Sequence, residues 1–306
     1  MSNLQKLTSM YLSHCEHQKM LNSKTVYAYR IDLRQFMDHV PTLNIHEISS
    51  HILESYISDL HQKYKPKTVK RKIASVKAFF HFLEFKEIIT HNPFNKIQVK
   101  FREPVILPKT IPLHIIESLL RTIYQNKNNA QTPYQRKNAL RDAAILELLF
   151  ASGMRISELC SLTLEQVNLV DQTILIYGKG SKERKIQVEN SEVVRILKEY
   201  QHDYQCEINM CNHFFVNQSG HPFSEQAVRR MISKYVSLSK INMHITPHMF
   251  RHTFATSLLE SDVDIRYIQE MLGHSSITIT EIYTHVTTAK QRDILRKKHP
   301  RNHFSI

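Results

Sequence analysis

Six residues that could act together on a phosphodiester are dispersed over the second half of the sequence: Arg155, Lys179, His248, Arg251, His274 and Tyr283. Guanidinium, ammonium and imidazole groups can hold a phosphate and stabilise the charge that develops on it during substitution. A phenol hydroxyl can attack the phosphorus and form a covalent intermediate. Such a set could break and remake a phosphodiester bond without a metal ion or a cofactor, so we expect neither.

The segment around His248 predicts a helix with an anion site in its first turn. Pro247 favours a helix start, because proline is tolerated at the first helical position, and the helix should run to about residue 259. His248 and Arg251 are three positions apart and share a face near the free amide groups. His248 and His252 also have a spacing that can ligate zinc, but Met249 stands where the zincin pattern has glutamate.

Arg155 follows a predicted helix end. Gly153 lies three residues beyond the apolar helix predicted for 141–150 and is placed to adopt the left-handed conformation that ends a helix. The position can direct the Arg155 guanidinium into a cleft, although a lone arginine there is more often a surface residue. Glu158, three residues further on, is a candidate to orient it.

Lys179 lies between two short β-rich runs, 173–177 and 184–188, which predict a hairpin with a basic tip. Exposed hairpin lysines are common, so the pattern alone does not select this one. Three neighbours compete for the role: Lys182, Arg184 and Lys185.

Tyr283 is one of thirteen tyrosines in the chain, and most of these are expected in the core or at exposed tips. Its phenol has an ordinary pKa near 10, so it is a poor nucleophile until cations surround it. A catalytic role therefore depends on the six residues converging in the fold.

The composition is that of a globular protein with a polyanionic partner. The 306 residues are 42% hydrophobic and 23% charged, with a net charge of +13, and a basic balance of this size favours nucleic acid. No apolar run is long enough for a bilayer and no signal segment is present, so we expect a cytoplasmic protein that does not bind membranes. The four cysteines show no paired metal motif and are expected to be reduced; a cluster of Cys206, Cys211 and His213 is only a weak metal candidate.

The first third of the chain is the more basic per residue. Residues 1–103 contain 16 Lys and Arg against 9 Asp and Glu, a net charge of +7. A helix starting near Thr68 has one apolar face, formed by Val69, Ile73, Val76, Phe80 and Leu83. Its other face is predicted to present Lys67, Lys70, Arg71, Lys72 and Lys77. This face is either solvated or laid on DNA phosphates, and the net charge favours DNA.

The remaining glycine, proline and helix-cap signals predict a mainly helical chain with a small β-sheet, in two domains, 1–103 and 104–306. Five glycines in 306 residues argue against a glycine-rich β architecture. In the first domain, Ser23 is the expected cap of a helix with apolar residues from Val26 to Met37, and Asn92-Pro93 is expected to end the last helix. A basic, proline-containing linker is predicted for 99–112.

The second domain is predicted to mix helices with the hairpin. A surface loop is expected for 126–137, and a helix from Ala227 to Val236 has Ser224 as its expected cap. A further short helix over 264–271 should stop at Gly273.

Five motifs occur in the order and approximate spacing of the tyrosine recombinases. They are Gly153-Met154-Arg155, Gly178-Lys179-Gly180, His248 with Arg251 and His252, Leu272-Gly273-His274, and Tyr283. A single H-x-x-R would be weak, but the joint pattern is specific. The chain resembles the compact, Xer-like and phage-integrase-like members over residues 4–300.

The resemblance implies a role for each motif residue. Tyr283 would attack the scissile phosphate, leaving a 3′-phosphotyrosyl link and a free 5′-hydroxyl. Arg155 and Arg251 would clamp the non-bridging oxygens, and Lys179 would protonate the leaving group. His248 would act in proton transfer with the tyrosine, His274 would hydrogen-bond the phosphate, and Glu158 matches the accessory acidic position.

The resemblance also implies an architecture and partners. A helical, SAM-like core-binding domain (1–103) and a mixed α+β catalytic domain (104–306) would clamp double-stranded DNA at recombination sites, with no extra N-terminal arm-binding domain. Four protomers on two duplexes would form the working assembly, with or without a paralogue. The predicted DNA-binding residues are those of the basic helix face together with Lys182 and Arg184.

Two other functions use parts of the same sequence pattern. A type IB topoisomerase would use the tyrosine chemistry to relax one duplex, and a DNA-binding regulator could keep the fold without the reaction. The complete motif set argues against the regulator. The Xer-like motifs favour recombination, for integration, excision or resolution of a mobile element, a plasmid or the chromosome.

Overall fold

The computed structural model describes residues 3–41, 44–98, 108–177 and 183–273. The described chain is mainly helical with one small sheet, which confirms the predicted fold class. The helices are α1 (Asn3–His17), α2 (Ser23–His39), α3 (Ser50–Lys63), α4 (Pro66–Phe85), α5 (Leu113–Asn128), α6 (Pro133–Ser152), α7 (Ile156–Ser161), α8 (Ser191–Asp203), α9 (Gln205–Cys211), α10 (Glu225–Leu238), α11 (Pro247–Glu260) and α12 (Ile265–Leu272). The strands are β1 (Val167–Asn168), β2 (Thr173–Tyr177) and β3 (Glu183–Gln187).

The chain divides into two compact units, Met1–Val105 and Ile106–Ile306. Each unit has its own apolar core, the first built from α1 to α4 and the second from α5 to α11 with the sheet. Part of the linker predicted for 99–112 lies outside the described residues. The roles predicted for the two domains remain predictions at this point.

The basic helix of the first unit is α4, and its apolar face is buried as predicted. It starts at Pro66, two residues before the predicted start, because proline stands in its first turn.

Two other details of this unit were predicted incorrectly. Asn22 rather than Ser23 caps α2, since its side chain accepts from the Lys24 amide. The last α-helix ends at Phe85, and Pro93 begins a short 3₁₀ turn that Asn92 caps.

A buried carboxylate joins α2 to α4. Asp32 is fully buried and accepts hydrogen bonds from Lys72 Nζ at 3.1 Å, Ser75 Oγ at 2.7 Å and the Arg71 guanidinium. Lys72 is itself 2% exposed and also bonds Gln35. The prediction that Lys72 lies on the exposed basic face is therefore wrong, because its charge is used to compensate Asp32 inside the helix pair.

The second unit is organised around α6, whose residues from Ala139 to Leu149 are almost entirely buried. The helix starts at Pro133 with Thr132 as its cap, so the loop predicted for 126–137 is wrong in most of its length. The same threonine–proline signal that correctly predicts the start of α11 operates here. Beside α6, β1, β2 and β3 form an antiparallel sheet in that order, with Ile176 opposite Arg184. The predicted hairpin is confirmed, and its tip at 178–182 lies outside the described residues.

The helices near the carboxyl end of the described chain begin and end close to the predicted residues. Ser224 caps α10 through the amide of Ala227, and α11 runs from Pro247 to Glu260. Gly273 ends α12 with φ of 62°, in the left-handed conformation expected of it. No helix among the described residues has the length and apolar character of a membrane span.

The Asp32 cluster predicts that neutralising Asp32 costs far more unfolding free energy than neutralising an exposed carboxylate. Asp32→Asn removes the charge that compensates buried Lys72, so we expect the first unit to lose about 3–5 kcal/mol of unfolding free energy in urea titrations. Glu117→Gln is the matched control. Glu117 and Arg121 form an ion pair in which both side chains are 69% exposed, so a change within about 0.5 kcal/mol is expected. Equal, small effects at both sites would contradict this account of the cluster.

Candidate active site

Arg155 is positioned by the turn between α6 and α7. Gly153 has φ of 59°, and a Cβ atom there would lie 2.5 Å from Cδ1 of Phe254, so the turn needs glycine for both conformation and space. The turn makes Arg155 the residue that precedes the first turn of α7. Its half-buried side chain lines a groove of about 1920 Å³ in the second unit, which Glu158, Arg184 and Gly273 also line. Arg155 therefore combines a fixed backbone with access to a ligand.

Glu158 orients Arg155, as the sequence suggested. One carboxylate oxygen accepts from the backbone amide of Arg155 at 2.8 Å, and the other accepts from its Nη1 at 2.7 Å. The Glu158 side chain is 7% exposed. Burial opposes its ionisation, but hydrogen bonds from Arg184 and Arg155 and their positive charge outweigh burial and lower the pKa of Glu158. The carboxylate is thus an ionised, rigid support for the arginine.

Arg184 is the second arginine on this carboxylate. Its Nη1 and Nη2 donate to the two oxygens of Glu158 at 3.1 and 2.6 Å, and its Nε donates to the carbonyl of Met271 at 2.9 Å. The Arg184 side chain is 9% exposed. The structure thus shows that Arg184 is held by acceptors within the protein, and the contact with DNA predicted for it remains a prediction. The hairpin pattern did not reveal this, because the fork depends on two partners far away in sequence.

Arg251 lies in the interior behind Arg155. It is 4% exposed and donates from Nη1 to the carbonyl of Gly153 at 2.9 Å and from Nη2 to the carbonyl of Leu272 at 2.6 Å. These carbonyls belong to the ends of α6 and α12, where backbone acceptors lack partners within the helix. Arg251 thereby connects the turn that holds Arg155 to the residue two positions before His274.

His248 lies one turn before Arg251 on α11 and is exposed. Partial desolvation of its ring, followed by the positive charges of Arg251, Arg229 and Arg155, lowers the pKa of His248 below its ordinary value. The imidazole is therefore mainly neutral near pH 7 and can accept a proton. Arg229, on α10, was not predicted from the sequence; its position on the exposed side of that helix gave no signal of its nearness to His248.

His252, on the same helix, is more buried than His248. Burial, with smaller contributions from His248 and Arg251, lowers the pKa of His252 to about 4. Within the described ranges no group of three His, Cys, Asp or Glu residues is arranged to hold a metal ion. The zinc pair and the Cys206, Cys211 and His213 cluster therefore gain no support there.

The structure brings together five of the predicted site residues: Arg155, Glu158, Arg184, His248 and Arg251. Four further predicted residues of the catalytic unit lie outside the described residues: Lys179, Lys182, His274 and Tyr283.

The first unit presents a separate basic surface. On α4, Lys67, Lys70, Arg71 and Lys77 are exposed, and Arg71 also pairs with Asp32. A second exposed set lies on α2, namely Lys24, Tyr27, Arg30 and Arg34. We did not predict the α2 set, although its helical spacing of basic residues around an aromatic one was a usable signal.

Two family models match the chain. Residues 116–290 match the phage integrase family, and residues 9–87 match the phage integrase N-terminal SAM-like domain. A tyrosine recombinase of Agathobacter rectalis is 65% identical over 304 residues, covering 99% of both chains. The tyrosine recombinase XerC of Bacillus subtilis is 31% identical, covering 98% of both. In fold, the chain is similar to the XerH site-specific recombinase in its post-cleavage complex, with a TM-score of 0.74 and 20% identity over 95% of this chain and 84% of that one.

The chain belongs to the phage integrase family of tyrosine recombinases. Its reaction is the cleavage and rejoining of DNA in site-specific recombination, by the tyrosine mechanism. The similar proteins are recombinases, so the topoisomerase-like and regulator alternatives are not favoured.

The depressed pKa of His252 predicts a specific acid sensitivity. Between pH 6.5 and about 4 the unfolded chain binds a proton at His252 that the folded chain does not, so stability falls as the pH falls through this window. His252→Gln should abolish about 2–3 kcal/mol of the stability difference between pH 7 and pH 4.5, measured by urea unfolding. His221→Gln, at an exposed histidine, should leave that difference unchanged. The idea fails if both variants lose stability in parallel with the wild type.

Proposed function

We propose that this recombinase exchanges strands between two double-stranded DNA sites through a covalent intermediate at Tyr283. The observation that carries the proposal is the linked arrangement of Arg155, Glu158, His248 and Arg251. Arg251 is bonded to the end of α12, which precedes His274, and Glu158 is bonded to Arg184 of β3, the strand that follows the Lys179 tip. The setting is integration, excision or resolution of a mobile element, or resolution of plasmid or chromosome dimers.

In the cleavage step, the Tyr283 oxygen forms a bond to the scissile phosphorus while the bond to the 5′-oxygen breaks. His248 accepts the phenol proton, consistent with the charges that lower its pKa. Lys179 gives a proton to the departing 5′-oxygen. The products are a 3′-phosphotyrosyl link and a free 5′-hydroxyl, and the same step in reverse joins a new 5′-hydroxyl without ATP.

Arg155 and Arg251 stabilise the extra charge on the non-bridging oxygens in the transition state, and His274 adds a hydrogen bond. A guanidinium suits this task because its planar donors meet two oxygens at once. The hydrogen bonds to Glu158, Gly153 and Leu272 hold both arginines in place before the substrate arrives. Such preorganisation is what makes a charged donor effective in catalysis.

The proposed partners are two DNA duplexes and three further copies of the chain. The Met1–Val105 unit would supply the core-binding domain and the Ile106–Ile306 unit the catalytic domain, and four protomers would act on two duplexes, alone or with a paralogue. The similar XerH recombinase is bound to its palindromic difH substrate, which supports DNA as the partner. The net charge of +13 also supports a polyanionic partner, and the proposed place of action is the cytoplasm.

We expect Tyr283→Phe to abolish covalent adduct formation on a nicked suicide duplex, because phenylalanine lacks the attacking oxygen. Adducts are measured on a denaturing gel, in EDTA, since the proposed chemistry takes its positive charge from side chains. Tyr134→Phe is the control, because Tyr134 is an exposed tyrosine of the same unit that does not line the groove of Arg155 and should leave adduct formation intact. Adduct formation by Tyr283→Phe at the wild-type level would refute the assignment of Tyr283 as the nucleophile.

A second arm of the same assay separates recombination from relaxation. Two differently labelled duplexes, each with a site, should yield exchanged products with the wild-type protein. A protein that only relaxes one supercoiled duplex and never exchanges ends would be topoisomerase-like.

The exposed α4 lysines predict a change in salt dependence. Lys67→Gln, Lys70→Gln and Lys77→Gln together should weaken DNA binding and reduce the slope of log affinity against log salt by up to roughly 0.9 for each phosphate that is no longer neutralised. Lys198→Gln, at an exposed lysine on α8, should leave the slope unchanged. An unaltered slope in the triple variant would exclude α4 as a phosphate-binding surface.

A further inference from the structure

Arg184 contacts two separate parts of the candidate active site, Glu158 and the end of α12. The DNA-binding role predicted for it does not account for these contacts. Arg184 belongs to β3, the strand that follows the hairpin tip, and lies five residues after Lys179. Its fork of donors holds both oxygens of Glu158, and Glu158 in turn holds the backbone and side chain of Arg155. One buried side chain thus connects the hairpin to the arginine at the start of α7.

The third nitrogen of the same guanidinium reaches the end of α12. Arg184 Nε donates to the carbonyl of Met271, three residues before His274. Gly273 packs directly on the arginine, because a Cβ atom at this position would lie 2.9 Å from Nη1, 3.1 Å from Cδ and 3.3 Å from Cζ of Arg184. A side chain at 273 would therefore push Arg184 away from Glu158 or displace the chain that leads to His274.

We propose that Arg184 is a positioning residue that sets Arg155, strand β3 and the end of α12 in one common geometry. The inference rests on the proposed function, since it concerns the placement of the same catalytic groups. Arg184 acts through Glu158 and the end of α12, because all three of its guanidinium nitrogens donate to protein acceptors. Cleavage, and not binding, should therefore depend on it.

Lysine cannot replace Arg184 in this role, although it carries the same charge. A lysine presents one ammonium group and cannot span both oxygens of Glu158 while also reaching the Met271 carbonyl. In Arg184→Lys we expect the single-turnover rate of adduct formation at saturating protein to fall about 10- to 100-fold, the size of effect that small misplacements of catalytic groups produce. The dissociation constant for DNA and its salt slope should stay within about twofold of wild type, because Arg184 neutralises no phosphate in this proposal. Arg121→Lys, at an exposed arginine paired with Glu117, is the matched control and should cleave like wild type.

A pH profile distinguishes positioning from a general loss of structure. Arg184→Gln takes away one of the two arginines that pair with the buried Glu158 carboxylate and leaves Arg155, so protonation of Glu158 moves to higher pH. Its cleavage rate should therefore begin to fall at a higher pH on acidification than that of wild type. The double variant Arg184→Gln with Glu158→Gln removes the titrating group, so this shift of the acid limb should disappear. The two losses should also be less than additive, as expected for residues that act as a unit.

The outcomes separate this inference from the proposed function. Absence of a Tyr283 adduct in wild type would overturn the proposed function itself. Normal cleavage by wild type together with normal rates in Arg184→Lys and Arg184→Gln would overturn only the positioning role. Weaker binding and a reduced salt slope, with a normal rate at saturation, would make Arg184 a DNA-binding residue and would also overturn it. A uniform rate loss with an unchanged pH profile would overturn it in favour of a purely structural role.

Discussion

The buried carboxylate of Glu158 is the interaction on which the candidate site depends. It accepts hydrogen bonds from two arginines that come from different elements, Arg155 before α7 and Arg184 on β3. An ionised carboxylate with little solvent contact is stable only when charged donors surround it. The requirement is reciprocal, because each arginine also needs the carboxylate to hold it in one orientation. The guanidinium of Arg155, for which we propose a role in catalysis, is thus fixed by the same charges that allow Glu158 to stay ionised in the interior.

The end of α12 is the second point at which the parts of the site meet. Its last carbonyl groups have no acceptor role inside the helix, and two of them receive arginine donors, Met271 from Arg184 and Leu272 from Arg251. Cations are favourable at a helix C-terminus for electrostatic reasons as well. The helix end therefore ties β3 and α11 together just before the residues that contain His274.

Much of the local structure was predictable from the sequence because it depends on neighbouring residues. The left-handed stops at Gly153 and Gly273, the cap at Ser224, the helix start at Pro247, the hairpin strands and the apolar face of α4 all follow short-range rules. The start of α6 was missed only because the Thr132-Pro133 signal was not applied to a polar segment. The burial of Lys72 and Arg184, both predicted to contact DNA, was harder to predict, because their charges are paired across the fold. Lys72 and Asp32 are both buried between their helices, and opposite charges on two packed helices were a signal that a pairing argument could have used. Arg184 offered no comparable signal, because its partners Glu158 and Met271 are 26 and 87 positions away.

The anchors of Arg251 have an evolutionary consequence. Both of its described acceptors, the carbonyls of Gly153 and Leu272, are main-chain atoms. Every amino acid carries a carbonyl, so sequence drift at those positions cannot delete the acceptor as long as the turns keep their shape. Arg155 relies instead on a side chain that one codon change removes. The two arginines of this enzyme should therefore differ in mutational robustness, with selection acting on backbone shape around one and on the identity of a single glutamate around the other.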